Sequence, residues 1–212
     1  MKRIILIGPQ ASGKSTQGEF IAEHLGIKEV AAGDILRKAI ENDTKLGKEI
    51  EHLVDAGALI SDDLMIELMF QELEKKDYDN GFILDGFPRN ATQLEIFEEK
   101  YDIDLVVHVD IPDSEAIKRI SGRRICSNGH VFHIKFNPSK KDGICDECDH
   151  RLHLRDDDKE TAVAKRLAIY HEHTEKVLEY YRKEGKVKTF DGNKDIKTVW
   201  KDIKEYLDKN VR

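Results

Sequence analysis

The residues most able to do chemistry lie in Gly8-Pro9-Gln10-Ala11-Ser12-Gly13-Lys14-Ser15-Thr16, which reads G-x-x-x-x-G-K-S. Its two glycines let the backbone turn so that N–H groups point inward. The helix start that follows adds partial positive charge, and both features suit a polyphosphate. Lys14 has the length to reach outer phosphates, and the Ser15 hydroxyl suits Mg²⁺. A second acid fits the same chemistry. Asp85 ends the apolar run Gly81-Phe82-Ile83-Leu84, the position expected of a carboxylate that holds Mg²⁺ through water opposite Ser15 or Thr16. Gly86-Phe87-Pro88-Arg89 follows, with Gln93 four residues further on. An arginine pinned after Phe-Pro suits a second phosphorylated substrate.

These side chains need a frame. Arg3 to Ile7 is an apolar, β-branched run and reads as a buried strand. Thr16 to Leu25 puts Phe20, Ile21, His24 and Leu25 on one helical face. Strand, glycine-rich loop and helix together make the phosphate-loop prediction specific. Further strands are expected at 27–31, 81–85, 105–109 and 187–190. Helices are expected at 33–40, 46–54, 64–69 behind the cap cluster Ser61-Asp62-Asp63, 92–99, 114–121, 160–183 and 196–207. This alternation predicts an α/β fold, a parallel five-stranded sheet covered by helices on both faces. Ligands then sit at the carboxyl ends of the strands. Two interruptions, near 31–60 and 122–159, read as insertions over that crevice. In the second, helix and strand patterns give way to Cys, His, Gly and Asn.

The 212 residues allow one domain with insertions, long enough to bury a sizeable core. A net charge of −7 argues against bulk binding to nucleic acid or an anionic membrane. An acidic protein that binds anions must concentrate its cations locally. The apolar run after Met1-Lys2-Arg3 stops at Gly8, too short for a signal core or a membrane span, so a cytoplasmic location is expected. Three cysteines, Cys126, Cys145 and Cys148, disfavour a disulfide framework.

Taken together, the chain closely resembles adenylate kinase in its long, lid-bearing bacterial form. The resemblance rests on the phosphate loop with Gln17, Gly33-Asp34-Ile35-Leu36-Arg37, Asp85-Gly86-Phe87-Pro88-Arg89 with Gln93, and Gly122-Arg123-Arg124. Phe136-Asn137-Pro138, Arg155-Asp156-Asp157-Asp158, Lys165-Arg166-Leu167 and Asp191-Gly192 complete it. It implies transfer of the terminal phosphoryl group of ATP to AMP, giving two ADP, with Mg²⁺, by a monomer. It also implies a core of 1–30, 61–121 and 160–212, a small helical monophosphate-binding insertion at 31–60, and a zinc-binding lid at 122–159. Lys14, Arg123, Arg155 and Arg166 would form the cationic cage. Ala11, Ser12, Gly13, Lys14, Ser15 and Thr16 would cradle the ATP phosphates. Arg119, Arg123 and the backbone near Lys194 would flank ATP, with Val131 and Phe132 reaching it from the lid. Arg37 and Arg89 would clamp the AMP phosphate, with Arg155 and Arg166 beside them. Gln93 would hydrogen-bond the AMP base in a pocket with Ala32, Ala58, Leu59, Ile60 and the Gly86-Phe87-Pro88 turn.

There are departures. Ser15 stands where the family usually has Gly, and Ala31-Ala32-Gly33 replaces Ser-Thr-Gly, so Ala32 has no hydroxyl for the base. Metal-bearing lids of the family use two Cys-x-x-Cys pairs. Here Cys145-Asp146-Glu147-Cys148 is intact, but Cys126 is followed by Ser127-Asn128-Gly129-His130. Cys126, His130, Cys145 and Cys148 would supply a Cys₃His structural zinc site. His133, His150 and Asp149 are rivals for the fourth place. Alternative readings are a kinase for UMP or CMP, an ATP-binding module without phosphoryl transfer, and a zinc-finger nucleic-acid binder.

Overall fold

The computed structural model describes residues 2–41, 47–48, 50, 60–154 and 160–211. Along the chain come β1 (Lys2–Ile7), α1 (Lys14–Leu25), β2 (Lys28–Ala31), α2 (Ala32–Glu41), α3 (Asp62–Leu73), β3 (Gly81–Asp85) and α4 (Ala91–Glu98). Then follow β4 (Leu105–Asp110), α5 (Asp113–Gly122), β5 (Arg123–Ile125), β6 (Val131–His133), α6 (Glu160–Ile169), α7 (Glu175–Lys183), β7 (Val187–Asp191) and α8 (Ile196–Asn210). Five strands form one sheet in the order β2-β3-β1-β4-β7, with every pairing parallel. β1 lies at its centre. The chain leaves β1 toward one edge and later returns to the other side, so the switch point falls at β1's carboxyl end, where ligands bind in such sheets.

The strands are apolar because both faces are covered. Alternate residues of β1 point to opposite sides. Ile5 and Ile7 join Val30, Phe82, Leu84 and Val106 in a core with α2, α3, α4 and α7. Ile4 and Leu6 join Ile83, Leu105, Val107, Val109 and Phe190 against Ile21 of α1 and Val199, Ile203 and Leu207 of α8. Helix starts are set by side-chain caps. Ser61 accepts from the Leu64 N–H, Asn90 from the Gln93 N–H, and Asp195 from the Lys197 and Thr198 N–H groups.

Three expectations change. The buried face of α1 is Gln17, Gly18 and Ile21. Phe20 and His24 instead pack at the edge against Trp200, with ring centroids 5.5 and 5.7 Å away. The helix expected over 160–183 is interrupted by a π-helical turn, Tyr170–Thr174. That turn lets buried Tyr170 meet His108 Nε2 through its hydroxyl at 3.3 Å. It also lets the Thr174 hydroxyl donate to the Arg89 carbonyl at 3.0 Å. Within 122–159, β5 and β6 pair antiparallel around a small cluster of Cys126, Phe132 and Cys145. The helix expected at 46–54 falls mostly outside the described residues. Among the described residues, no helix is long and apolar enough to cross a membrane.

Phe97 is fully buried, with ring centroids 5.5 Å from Phe87 and 5.2 Å from Tyr101. Phe97→Ala is expected to cost about 3–5 kcal/mol of folding free energy. Urea unfolding checks this, and a loss below about 1 kcal/mol would contradict the packing described.

Candidate active site

The loop after β1 is shaped by close approach. A Cβ on Gly8 would lie 2.2 Å from the Val109 carbonyl oxygen, so only glycine fits there. Gly13 caps α1 at φ 89°, a conformation side chains disfavour. Ala11 also has positive φ, at 57°. Its methyl packs against a cluster of Ile111, Ala116, Ile120, Val163 and Leu167 from β4's end, α5 and α6, which offsets the strain. Arg119 Nη1 on α5 donates to the Ala11 carbonyl at 3.5 Å. The Ser12 N–H donates to the Pro9 carbonyl at 3.3 Å, while its buried hydroxyl has no hydrogen-bond partner in the described structure. A buried orphan hydroxyl in a loop of this shape is a donor awaiting an acceptor.

Asp85 ends β3 in register with Leu6 of β1 and Ala31 of β2. The Ser15 hydroxyl donates to its Oδ2 at 2.5 Å. The sheet thus brings together the two oxygen groups expected near Mg²⁺, and hard oxygens are what that ion prefers.

Cations crowd this end of the sheet. Lys14 donates from Nζ to the Pro9 carbonyl at 3.5 Å. Burial holds its pKa below the ordinary lysine value; Asp85 works against that, and repulsion from Arg89, Arg166 and Arg123 adds to it. Desolvation in the crevice likewise lowers Arg89, with Asp85 opposing. Arg37 sits on α2 in an ion pair with Asp34 one turn earlier.

The turn after β3 forms one hydrogen-bonded unit. Phe87, 1% exposed, anchors it in the core, and the Phe87–Pro88 peptide is cis. Arg89 Nε donates to the Gly86 carbonyl at 2.7 Å. The Arg89 N–H donates to Gln93 Oε1 at 2.8 Å. Gln93 Nε2 donates to Asp62 Oδ1 at 2.7 Å. Ala32 is buried, and its Cβ would be 3.7 Å from a Cβ on Gly86. Ile60 packs at the border of the same core.

Between α5 and α6, the ligand atoms of Cys126, His130, Cys145 and Cys148 all lie within 4.8 Å of one another. His130 Nδ1 is 3.4 Å from Cys126 Sγ and 3.3 Å from Cys145 Sγ, and the Cys148 and Cys126 sulfurs are 3.6 Å apart. A tetrahedral zinc with ordinary bond lengths has S···S and S···N edges of about 3.8 and 3.6 Å, so the donor set fits. The two rival histidines are engaged elsewhere, His133 Nε2 with the Arg119 carbonyl at 2.9 Å and His150 Nδ1 with the Ser127 hydroxyl at 3.0 Å, and Asp149 is not a member of the cluster. Phe132 is buried beside the cysteines, whereas Val131 is 54% exposed. The Arg119 guanidinium lies 5.3 Å from the Phe136 ring centre, and Arg119 Nε donates to Glu115 at 2.9 Å. Lys194 pairs with Asp202 at 2.7 Å. Ala58, Leu59 and Arg155 lie outside the described residues.

Sequence reasoning passed over Glu29 and Asp62. Glu29 carried no motif, and Asp62 was visible only as part of a helix-capping cluster. Phe136 was visible only in a family motif, with no role attached.

A family model described as "Adenylate kinase" matches residues 6–186. Proteins named adenylate kinase align over nearly the whole chain. The protein from Methanothrix thermoacetophila is 42% identical over 97% of this chain and 98% of its own length. That from Archaeoglobus fulgidus is also 42% identical, over the same shares. One from Streptomyces avermitilis is 43% identical over 88% of each chain. The chain belongs to the adenylate kinase family. It is therefore a nucleoside monophosphate kinase, an enzyme rather than a passive ATP-binding module, and the family takes ATP, AMP and ADP as substrates.

Glu29 lies on β2, on the same side of the sheet as Asp85 by strand register. Burial, then Asp85, Glu19 and Asp34, raise its pKa from 4.5 to about 8, with Lys14 opposing. Below pH 4.5 it is protonated both folded and unfolded. Between 4.5 and about 8 the unfolded chain releases the proton and the folded chain keeps it, so stability falls as pH rises across that window. Glu29→Gln is expected to stabilise by about 1 kcal/mol at pH 5 and about 4 kcal/mol at pH 8 in urea unfolding. Equal pH slopes in the two proteins would contradict this.

Proposed function

We propose that this adenylate kinase holds ATP and AMP end to end across the carboxyl end of its sheet and passes the terminal phosphoryl group between them. An AMP phosphate oxygen attacks the γ-phosphorus in line. The bond from that phosphorus to the β–γ bridging oxygen breaks, and two ADP result; the reverse follows the same path. The protein contributes position and charge rather than covalent chemistry.

The amides of Ala11, Ser12, Gly13, Lys14, Ser15 and Thr16 cradle the ATP phosphates, and Lys14 neutralises the outer ones. Arg123 and Arg166, with Arg155, offset charge on the migrating group. Arg89 and Arg37 hold the AMP phosphate, for which a planar guanidinium offers two parallel donors. The Ser15 hydroxyl and Asp85 would hold Mg²⁺, which would supply charge neutralisation on the ATP phosphates. Arg119, the segment at Lys194 and the lid residues Val131 and Phe132 border the ATP base. Ala32, Ile60, Ala58, Leu59 and Gly86-Phe87-Pro88 border the AMP base, read by Gln93. The segments 31–60 and 122–159 act as insertions that close over the substrates and exclude water.

One observation carries this reading. Lys14 is pressed on by three arginines and countered by Asp85, in a chain of net charge −7. Such a cluster is stabilised by a polyanion.

For the lid we propose a structural zinc held by Cys126, His130, Cys145 and Cys148. A cluster of three buried residues is a small core, and metal adds folding energy to it.

Two outcomes test these assignments. Arg89→Ala should raise the KM for AMP at least tenfold while leaving ATP binding within about twofold, in steady-state assays of ADP formation; unchanged AMP saturation would refute the clamp. Metal analysis should find about one zinc per chain, lost in Cys145→Ser together with lid protection in hydrogen exchange. Metal-free protein with an equally protected lid would refute the site.

A further inference from the structure

We propose that Asp62 is a positioning residue that sets base specificity, by locking the orientation of the Gln93 amide. The proposal rests on the reading of Gln93 as the group that meets the AMP base.

A glutamine amide presents a donor on one side and an acceptor on the other, and a flip exchanges them. Here both sides are tied to groups of a single polarity. A backbone N–H can only donate, and the Arg89 N–H meets Oε1 at 2.8 Å. A carboxylate can only accept, and Asp62 Oδ1 meets Nε2 at 2.7 Å. Asp62 is half-buried at the start of α3. The same Oδ1 accepts from Asn90 Nδ2 at 2.8 Å. Asn90 in turn accepts the Gln93 N–H at 2.9 Å through its own Oδ1. Asp62 thus fastens α3 to the start of α4 and fixes which edge of the amide donates.

The lock leaves Gln93 one spare N–H on Nε2 and one spare lone pair on Oε1. Adenine offers an acceptor ring nitrogen beside a donor amino group, which matches a donor–acceptor amide; glutamine reads adenine in this bidentate way elsewhere. Hypoxanthine carries a carbonyl acceptor where adenine has the amino group. Against the locked amide, that carbonyl would face Oε1, acceptor against acceptor. A freely flipping glutamine would serve both bases. The neighbouring Ala32 is buried and has no hydroxyl to add to the discrimination. Base choice therefore falls on the amide, and its polarity on Asp62.

The test compares AMP with IMP, which differ at the base position in question. Steady-state kcat/KM with ATP is measured for each monophosphate in the wild type, Asp62→Ala and Asp62→Asn. Melting temperatures confirm that each variant is folded. Asparagine keeps an acceptor oxygen, whereas alanine removes it. In Asp62→Ala the AMP-over-IMP ratio should fall about tenfold, with the KM for ATP unchanged. In Asp62→Asn the ratio should stay within about threefold of the wild type. A purely structural role would lower AMP and IMP use by the same factor and leave the ratio intact, and that result would overturn the proposal. A ratio lost as fully in Asp62→Asn as in Asp62→Ala would overturn it too, because charge rather than an acceptor would then be the cause. A wild type that used IMP as well as AMP would defeat the base-reading role of Gln93 itself. A selective wild type whose selectivity survives Asp62→Ala would defeat the role of Asp62 alone.

Discussion

Like charges held close together are the constraint on which this molecule depends. Arg89, Arg123 and Arg166 repel Lys14 at the carboxyl end of the sheet, and Asp85 attracts Lys14 and Arg89. No surface loop would keep such a group assembled. Strands buried on both faces fix the turns that carry Lys14 and Arg89, while Arg123 and Arg166 come from β5 and α6. Repulsion stored in this way is released when a polyanion arrives. Donors held in place beforehand need no rearrangement as charge moves during reaction.

The phosphate loop is held from behind as well as by its strand. Ala11 adopts a conformation that favours glycine, and its methyl lies against the cluster built by Ile111, α5 and α6. α5 leads directly into residues 123–154 and α6 follows them. One small apolar cluster therefore touches both the phosphate-binding turn and the two helices that flank the lid. Arg119 adds a polar link, reaching the Ala11 carbonyl while its guanidinium lies near Phe136 of the lid. On the opposite side, the π-helical turn serves a similar end. Tyr170 reaches the buried His108, and Thr174 holds the Arg89 carbonyl. A regular helix would shift those two side chains out of step.

The proposed lid, between α5 and α6, follows a different economy of structure. Among its described residues the buried cluster is small, Cys126, Phe132 and Cys145 with Cys148 and Leu152 packed against them. In the zinc site proposed above, four donor atoms that lie within 4.8 Å of one another would do the work that a hydrophobic core does elsewhere. His130 takes the place of a fourth cysteine. The rival histidines are already committed to hydrogen bonds with Ser127 and with the Arg119 carbonyl.

Much of this was readable from the residue order. The phosphate loop, Asp85 at a strand end, the Phe-Pro-Arg turn, the cap residues, the strands and the Cys₃His set are local patterns. Each is written in neighbouring residues because backbone turns, caps, alternation and metal spacing are local physics. Other features appeared only once the chain had folded. Nothing near Glu29 in sequence announces that burial and Asp85 will keep it protonated. Asp62 looked like a capping acid until α3 and α4 came together and turned it toward Asn90 and Gln93. The π turn was hidden in a run that reads as plain helix. Ala11 gave no sign of its left-handed backbone. Sequence alone determined which elements form and which residues stand at their ends, since local periodicity and turn chemistry govern both. Tertiary structure decided which polar groups face one another and at what protonation, because sheet register and desolvation depend on residues far apart in the chain.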